Sequence, residues 1–476
     1  MLGILKLLKH KLENQSVVIL GFGREGQASY SLFRRIFPEK KLAVADLDPV
    51  IREHSLLLND PDLITITGAD YLDRIGSFDL IVRSPGIPIW KLVSIDTGAG
   101  HGRDSGGGRI PIRKITSQTD LFLQAYGDQV IGVTGTKGKS TTSSLIHHLL
   151  KAAGEDSILA GNIGNPPFHF IDQITPKTRI VLELSSHQLE YIRKGPHIAI
   201  ILNLFQEHLD AYADFTSYQN AKINITRFQP PDGILIYNAD DQLVEEWIRP
   251  LIYNRTVYPF SLIHPCHPGG YKRGDDLFFD DGLKEHALWK IHQERFLRGE
   301  HNLKNILAAA LAARLCGISR EELEDGLDTF KGLEHRLEYV GEYKGIHFYN
   351  DSIATIPEAC MEAIRAVPRV DTLVAGGFDR GIDYAALATF LCHSSIRNFI
   401  FTGQAGKRVG TMMEQEKMQN KKIFYIHHFD DFKEIAFRVT RPGYACLLSP
   451  AAASYDEFNN FEERGKRFME LVRQNG

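Results

Sequence analysis

The ten residues from Gly132 to Thr141, GVTGTKGKST, constrain this chain more than any others. They follow the apolar run QVIGV and lead into a stretch of helical periodicity, so a buried strand must turn through glycines directly into a helix. That junction belongs to sheets whose strands run parallel with helices between them. It also turns successive backbone N–H groups and the positive end of a helix outward, a cradle suited to phosphate oxygens. Gly135, Thr136, Lys137, Gly138, Lys139, Ser140 and Thr141 are therefore candidate nucleotide contacts, with Lys139 neutralising charge on the β- and γ-phosphates and Ser140 placed to ligate magnesium. The strict GxxxxGK[ST] spacing is missed, because Gly132 lies one residue too early.

The alternation of apolar runs and helical stretches extends along the whole chain. SVVIL ends in GFGREG, which sets Gly21, Gly23 and Gly26 in GxGxxG spacing; KLAVADLD ends a second strand at Asp46, and DLIVRSPGIP begins a third. A glycine-rich stretch from Thr97 to Gly108 reads as a flexible loop or linker. Beyond it, RIVLEL, HIAIILNL and GILIYN are buried parallel strands, and Asn302 through Cys316 is helical. Strands restart near Ile346, Asp371, Asn398, Ile423 and Tyr444. At 476 residues the chain is too long for one core. The expectation is an α/β protein of three domains: a Rossmann-like domain over 1–112, a central P-loop ATPase-like parallel sheet over 113–332, and a Rossmann-like domain over 333–476.

Charge excludes some partners. Fifty-five basic and 59 acidic residues are interspersed for a net charge of -4, so no extended basic field exists for a nucleic acid or an anionic membrane. The five cysteines, Cys266, Cys316, Cys360, Cys392 and Cys446, are scattered without metal-site spacing and read as reduced, structural thiols. The leucine- and lysine-rich start is too short in its apolar stretches for a signal peptide or membrane span. A cytoplasmic monomer is expected.

Several further motifs succeed one another over almost the full length: VLELSSHQLE, NLFQEHLDAY, GEHNLKN, EHRLEYV, YNDS, AGGFDRG and LSPAAASYDEF. With GTKGKST before them, they resemble the Mur family of ATP-dependent amide ligases. Alone, Glu183 at a strand end would be a solvated carboxylate and His208 a structural histidine. The resemblance makes both magnesium ligands with Ser140, and implies that Lys222 is carbamylated into an anion for a second magnesium. Lys139, His208 and Lys222 are the catalytic set it implies. Asn302 and Asn305 fall to the adenine ring, where amides offer paired donors and acceptors. Arg336 falls to the ATP phosphates and Asp351 to the ribose. Thr355, Arg380, Ser454, Tyr455 and Phe461 form the expected glutamate pocket, Arg380 holding a carboxylate bidentately.

In this family the first domain binds the UDP of a nucleotide sugar, which places Gly23, Arg24, Glu25, Leu47, Ser84, Gly86 and Asn162 at that substrate. The combination of SSHQLE, NDSxAT and LSPAAAS is most similar to the member that adds D-glutamate to UDP-N-acetylmuramoyl-L-alanine through an acyl phosphate. One departure stands out: the family's NDSKAT reads NDSIAT, so Ile353 replaces a lysine expected near the glutamate carboxylates. L-Glutamate or another amino acid is therefore an alternative substrate. A folylpolyglutamate synthetase shares the phosphate loop but not the first domain. A nicotinamide-dependent dehydrogenase would rest on Gly21, Gly23 and Gly26 alone, and a non-catalytic nucleotide-binding paralogue would rest on Ile353.

Overall fold

The computed structural model describes residues 2–89, 92, 110–163, 165–205, 212, 214–253, 255–292, 297, 299–416 and 420–475. The glycine-rich stretch and His208 therefore lie outside the described residues. The chain divides into two compact units, Met1–Phe330 and Lys331–Gly476.

The first unit carries two sheets. In the smaller one, five parallel strands stand in the order Leu63–Thr67, Leu42–Asp46, Val17–Leu20, Leu80–Arg83, Ile115–Thr116. Val17–Leu20 is buried at every residue, which its unbroken β-branched and aliphatic run demands of a central parallel strand. The chain fills one side of this strand and then the other, so a crevice opens at the carboxyl ends of Val17–Leu20 and Leu80–Arg83. The edge strand Ile115–Thr116 comes after residue 112, so the sheet runs past the expected boundary.

The larger sheet has nine strands. Val130–Thr134 lies between Arg179–Glu183 and Ile198–Ile201, and strand order reverses around it. Outward from Ile198–Ile201 come Ile234–Asn238, Thr256–Ser261 and Gly269–Arg273, all parallel, then the antiparallel strands Asp276–Asp280 and Glu285–Lys290. This antiparallel extension is absent from the sequence reading, since its short half-polar strands lack the long apolar runs of the rest. Helix Glu300–Leu315 packs on helix Lys139–Ala152, and its run Ala308–Ala313 is fully buried. One apolar core joins the two sheets, from Ile4, Leu8 and Leu12 of the N-terminal helix through Phe33 and Phe168 to Leu182 and Ile201. That continuity is why Met1–Phe330 behaves as one body.

The second unit is built on the sheet Glu338–Tyr343, Ile346–Asn350, Ala445–Leu448, Val370–Gly376, Asn398–Thr402, Lys422–Ile426, parallel except for its first pair. Its closing helix Phe461–Asn475 seats Phe468, Leu471 and Val472 in the core. Among the described residues, no helix is long and apolar enough to cross a membrane.

Candidate active site

The strand Val130–Thr134 delivers its last residue to the sheet edge, and helix Lys139–Ala152 begins five residues later, as the glycine spacing predicts. Gly138 caps that helix at φ 85°, a conformation that favours glycine, and a Cβ there would run into Asn305 Oδ1. Asn305 is thus packed against the loop, and its Nδ2 donates to Asn302 Oδ1 at 3.1 Å. The loop is pinned from the next strand's end by Asn203: Lys137 N–H donates to its Oδ1 at 2.7 Å, its Nδ2 donates to Lys137 O at 3.0 Å, and Thr136 N–H donates to its backbone O at 3.0 Å. Thr136 also meets the Tyr218 hydroxyl at 3.0 Å. Asn203 and Tyr218 are functional supports that no motif spacing signals.

Both lysines of the expected catalytic set reach this loop. Lys139 Nζ donates to Gly135 O at 3.0 Å and Thr136 O at 2.9 Å. Lys222, on the helix Phe215–Arg227 capped by Asp214, is buried, with Nζ donating to Gly135 O at 2.8 Å and lying 4.9 Å from the Tyr218 ring centre. Register places Glu183 opposite Val133, one residue before the loop begins to form. Its carboxylate is 1% exposed; Oε1 accepts from Asn162 Nδ2 at 2.7 Å, while Oε2 is buried with no hydrogen-bond partner among the described residues. A buried anionic oxygen left so is expensive unless a cation meets it, so Glu183 suits the metal role. No cluster of three acidic, histidine or cysteine side chains able to hold a metal occurs among the described residues.

The crevice of the smaller sheet holds the residues expected at the nucleotide sugar. Gly21 turns at φ 87°, and a Cβ on Gly26 would collide with the Gly21 carbonyl, so helix and strand touch backbone to backbone. Ser84 Oγ donates to Gly21 O at 2.9 Å. Asp46 is occupied with the turn: Phe22 N–H donates to Oδ2 at 2.7 Å and Asp48 N–H to Oδ1 at 3.0 Å. Gly23, Arg24, Gly86 and Leu47 are exposed at the strand ends. Arg24, Glu25, Pro85, Gly161, Asn162, Pro166 and Gln188 line one cleft. Gln188 Nε2 donates to Glu25 Oε1 at 2.7 Å, and burial pushes the Glu25 carboxyl above the usual range against the pull of Gln188, Arg83 and Arg24. Arg83 is itself buried, pairing with Glu190 at 3.0 Å and donating to His187 O at 2.9 Å. Neither Gln188 nor Arg83 was singled out from sequence.

In the second unit, Asp351 is buried at the end of Ile346–Asn350, accepting from Leu337 N–H at 3.2 Å and Ser449 Oγ at 2.8 Å. Burial pushes its carboxyl up to about 7. Arg336 is exposed two residues before the strand Glu338–Tyr343. Arg380, also exposed, donates from Nη2 to the Thr355 carbonyl at 2.8 Å, two residues from Ile353. Ser454 is buried, Tyr455 is exposed with its ring 6.3 Å from Phe378, and Phe461 lies edge-on to His335 at 6.2 Å. The residue that organises this region was missed: Arg464 is buried, donating to Ser352 Oγ at 3.0 Å and to the carbonyls of Ser352, Ala452 and Ala453 at 2.9, 3.1 and 3.3 Å.

A phosphate loop on a nine-stranded sheet, a buried acid beside it and a second crevice on a five-stranded sheet together define an enzyme that handles a nucleoside triphosphate. The Mur ligase middle domain matches residues 133–313. UDP-N-acetylmuramoylalanine--D-glutamate ligase of Acetivibrio thermocellus is 31% identical over 471 residues, spanning 98% of this chain and 97% of the relative. Its counterpart from Geobacillus kaustophilus is 33% identical over 467 residues, spanning 97% and 98%. Among solved structures, a UDP-N-acetylmuramate-alanine ligase from Thermotoga maritima superposes with TM-score 0.54 over 97% of this chain and 100% of that one, at 16% identity, a likeness of fold. The chain belongs to the Mur ligase family of ATP-dependent, amide-bond-forming enzymes.

Proposed function

We propose that this enzyme joins D-glutamate to UDP-N-acetylmuramoyl-L-alanine, converting ATP to ADP and phosphate, in the synthesis of the peptidoglycan precursor. The near full-length similarity to relatives named for that reaction supports the substrates. The observation that carries the chemistry is the loop Gly135–Thr141 following the strand that pairs with Arg179–Glu183, where Glu183 Oε2 is buried with no hydrogen-bond partner among the described residues. In this reading residues 1–112 hold the nucleotide sugar through Gly23, Arg24, Glu25, Leu47, Ser84 and Gly86, and Asn162 extends the grip from the central domain. Residues 113–332 hold ATP, and 333–476 supply the amino-acid pocket of Thr355, Arg380, Ser454, Tyr455 and Phe461. The protein works as a cytoplasmic monomer.

The acceptor's alanyl carboxylate attacks the γ-phosphorus of ATP, the bond to ADP breaks, and an acyl phosphate forms. The amine of glutamate then attacks the acyl carbon, and phosphate leaves as the amide closes. Backbone N–H groups at the start of helix Lys139–Ala152 hold the phosphates in place. Lys139 exchanges its two carbonyl partners for phosphate oxygens and stabilises the charge that develops on the transferring group. Asn302 and Asn305 hold the adenine, Arg336 the phosphates and Asp351 the ribose. Magnesium would be held by Ser140, Glu183 and His208, with a second site at Lys222, and it supplies further neutralisation of phosphate charge. Glu183 and Ser140 fit such a cation as they stand, whereas Lys222 fits only as its carbamate.

Ile353 sustains a second reading, in which the same scaffold takes L-glutamate or another amino acid. The cation of Arg380 anchored at Thr355 favours a substrate carboxylate in either case. Phosphate release is measured with UDP-N-acetylmuramoyl-L-alanine and either D- or L-glutamate. The expected result is turnover that requires acceptor and D-glutamate together. Turnover with L-glutamate alone overturns the choice of amino acid, and release that needs no acceptor overturns the ligase reaction.

A further inference from the structure

We infer that the Glu25 carboxyl is a hydrogen-bond donor to an oxygen of the nucleotide-sugar substrate, making it a specificity-determining residue of the cleft; this rests on the reading of that cleft given above. One N–H of each amide on the facing wall is already committed. Asn162 Nδ2 donates to Glu183 Oε1 at 2.7 Å, and Gln188 Nε2 donates to Glu25 Oε1 at 2.7 Å, while Gln188 Oε1 accepts from Ser185 N–H at 3.0 Å and Ser185 Oγ at 3.1 Å. Glu25 Oε2 is left buried, with no hydrogen-bond partner among the described residues, in a side chain that lines the cleft.

The form of the carboxyl follows from its neighbours. Because Gln188 donates to Oε1, a proton on the group belongs on Oε2, the oxygen left without a partner among the described residues in a side chain that lines the cleft. An ionised Oε2 would instead add an anion without a hydrogen-bond donor to a partly dry cleft read here as holding an anionic ligand. Burial already favours the neutral form. The charged and titratable groups around it are Arg24 on its own helix, Arg83 at the end of Leu80–Arg83 with its partner Glu190, His187 beside Gln188 with its ring 3.3 Å from the Tyr212 hydroxyl, and Glu183 beyond Asn162. Both arginines favour the ionised form, so the donor is held only while burial outweighs them, and a substrate oxygen that accepts the proton tips the balance further.

The test is calorimetric titration of the full-length protein with UDP-N-acetylmuramoyl-L-alanine from about pH 6 to about pH 9, for the wild type, Glu25→Gln and Glu25→Ala. Wild-type affinity is expected to fall as pH rises through the Glu25 pKa, by at most about tenfold per pH unit. Glu25→Gln keeps an N–H where the carboxyl had its O–H and still accepts from Gln188, so it should follow a flatter profile and hold affinity at high pH. Glu25→Ala should bind roughly tenfold more weakly at low pH, the loss of one hydrogen bond in a dry site. A purely structural tie to Gln188 would change no pH profile. The same slope in wild type and Glu25→Gln, or a flat wild-type profile, overturns this inference and leaves the cleft reading intact. Absence of wild-type binding at every pH overturns both.

Discussion

The loop Gly135–Gly138 in the first unit and the loop Ser449–Ser454 in the second both leave the carboxyl end of a buried parallel strand, yet they are clamped differently. In the first, Lys139 and Lys222 donate to carbonyls of Gly135 and Thr136, and the Asn203 side chain ties down the Lys137 backbone. In the second, the clamp is Arg464, buried and bound to the carbonyls of Ala452 and Ala453 and to Ser352. In both places a cation draws carbonyls of the loop toward itself. The difference is that the phosphate loop uses a partly buried lysine that can exchange a carbonyl for a phosphate, whereas the second loop uses an arginine sealed in the core. A loop that binds a charge during turnover needs a clamp that lets go; a loop that only positions side chains does not.

That contrast can be broken at several points. Arg464→Met should cost about 3 kcal/mol or more in urea unfolding, because it strands buried carbonyls and the Ser352 hydroxyl. A loss below about 0.5 kcal/mol, typical of a surface substitution, would mean that the clamp is ornamental. Lys139→Met should leave the unfolding midpoint nearly unchanged while lowering phosphate release by about 10² to 10³, the range for removing one preorganised charge donor. An equal loss of stability would erase the distinction between the two clamps.

Asp351 ties the second loop to its neighbouring strand through Ser449, and its folded-state carboxyl is pushed up to about 7 by burial. The folded protein therefore retains a proton that the unfolded chain releases near the ordinary carboxylate range. The stability from this group is complete below that range and is lost as pH rises through about 7. The slope is at most about 1.4 kcal/mol per pH unit. Asp351→Asn should flatten it, and an unchanged unfolding profile between wild type and variant would refute the assignment. Asn203→Ala carries the smallest expected effect, roughly 1 kcal/mol in loop order, read as about a fivefold rise in KM for ATP with kcat nearly unchanged. A drop in kcat instead would show that Asn203 acts on the reaction itself.

The strand, glycine turn and helix around Gly135–Thr141 were legible because the pattern is local: an apolar run before, a helical period after and glycines between. The parallel strands were equally legible, since a strand covered on both faces is written as an unbroken apolar run. The supports were not. Asn203 is one amide after such a run, and nothing in its spacing says that it reaches back to Lys137. Gln188 and Glu25 stand 163 positions apart, and only packing across the two sheets of the first unit joins them. The antiparallel strands Asp276–Asp280 and Glu285–Lys290 hid behind polar residues at the edge of the sheet.

By itself the sequence determined the α/β class and the place where a strand turns through glycines into a helix, because periodicity and glycine spacing act over a few neighbouring residues, while the kind of reaction came from the resemblance of its motifs to a family. Only the tertiary structure decided that Glu183 keeps one buried oxygen without a partner among the described residues, that Asp46 serves its own turn, and that Arg464 is interior although arginine is ordinarily a surface residue. Those outcomes depend on which groups are shut away from water together, and burial is a property of the packed chain rather than of any stretch of it.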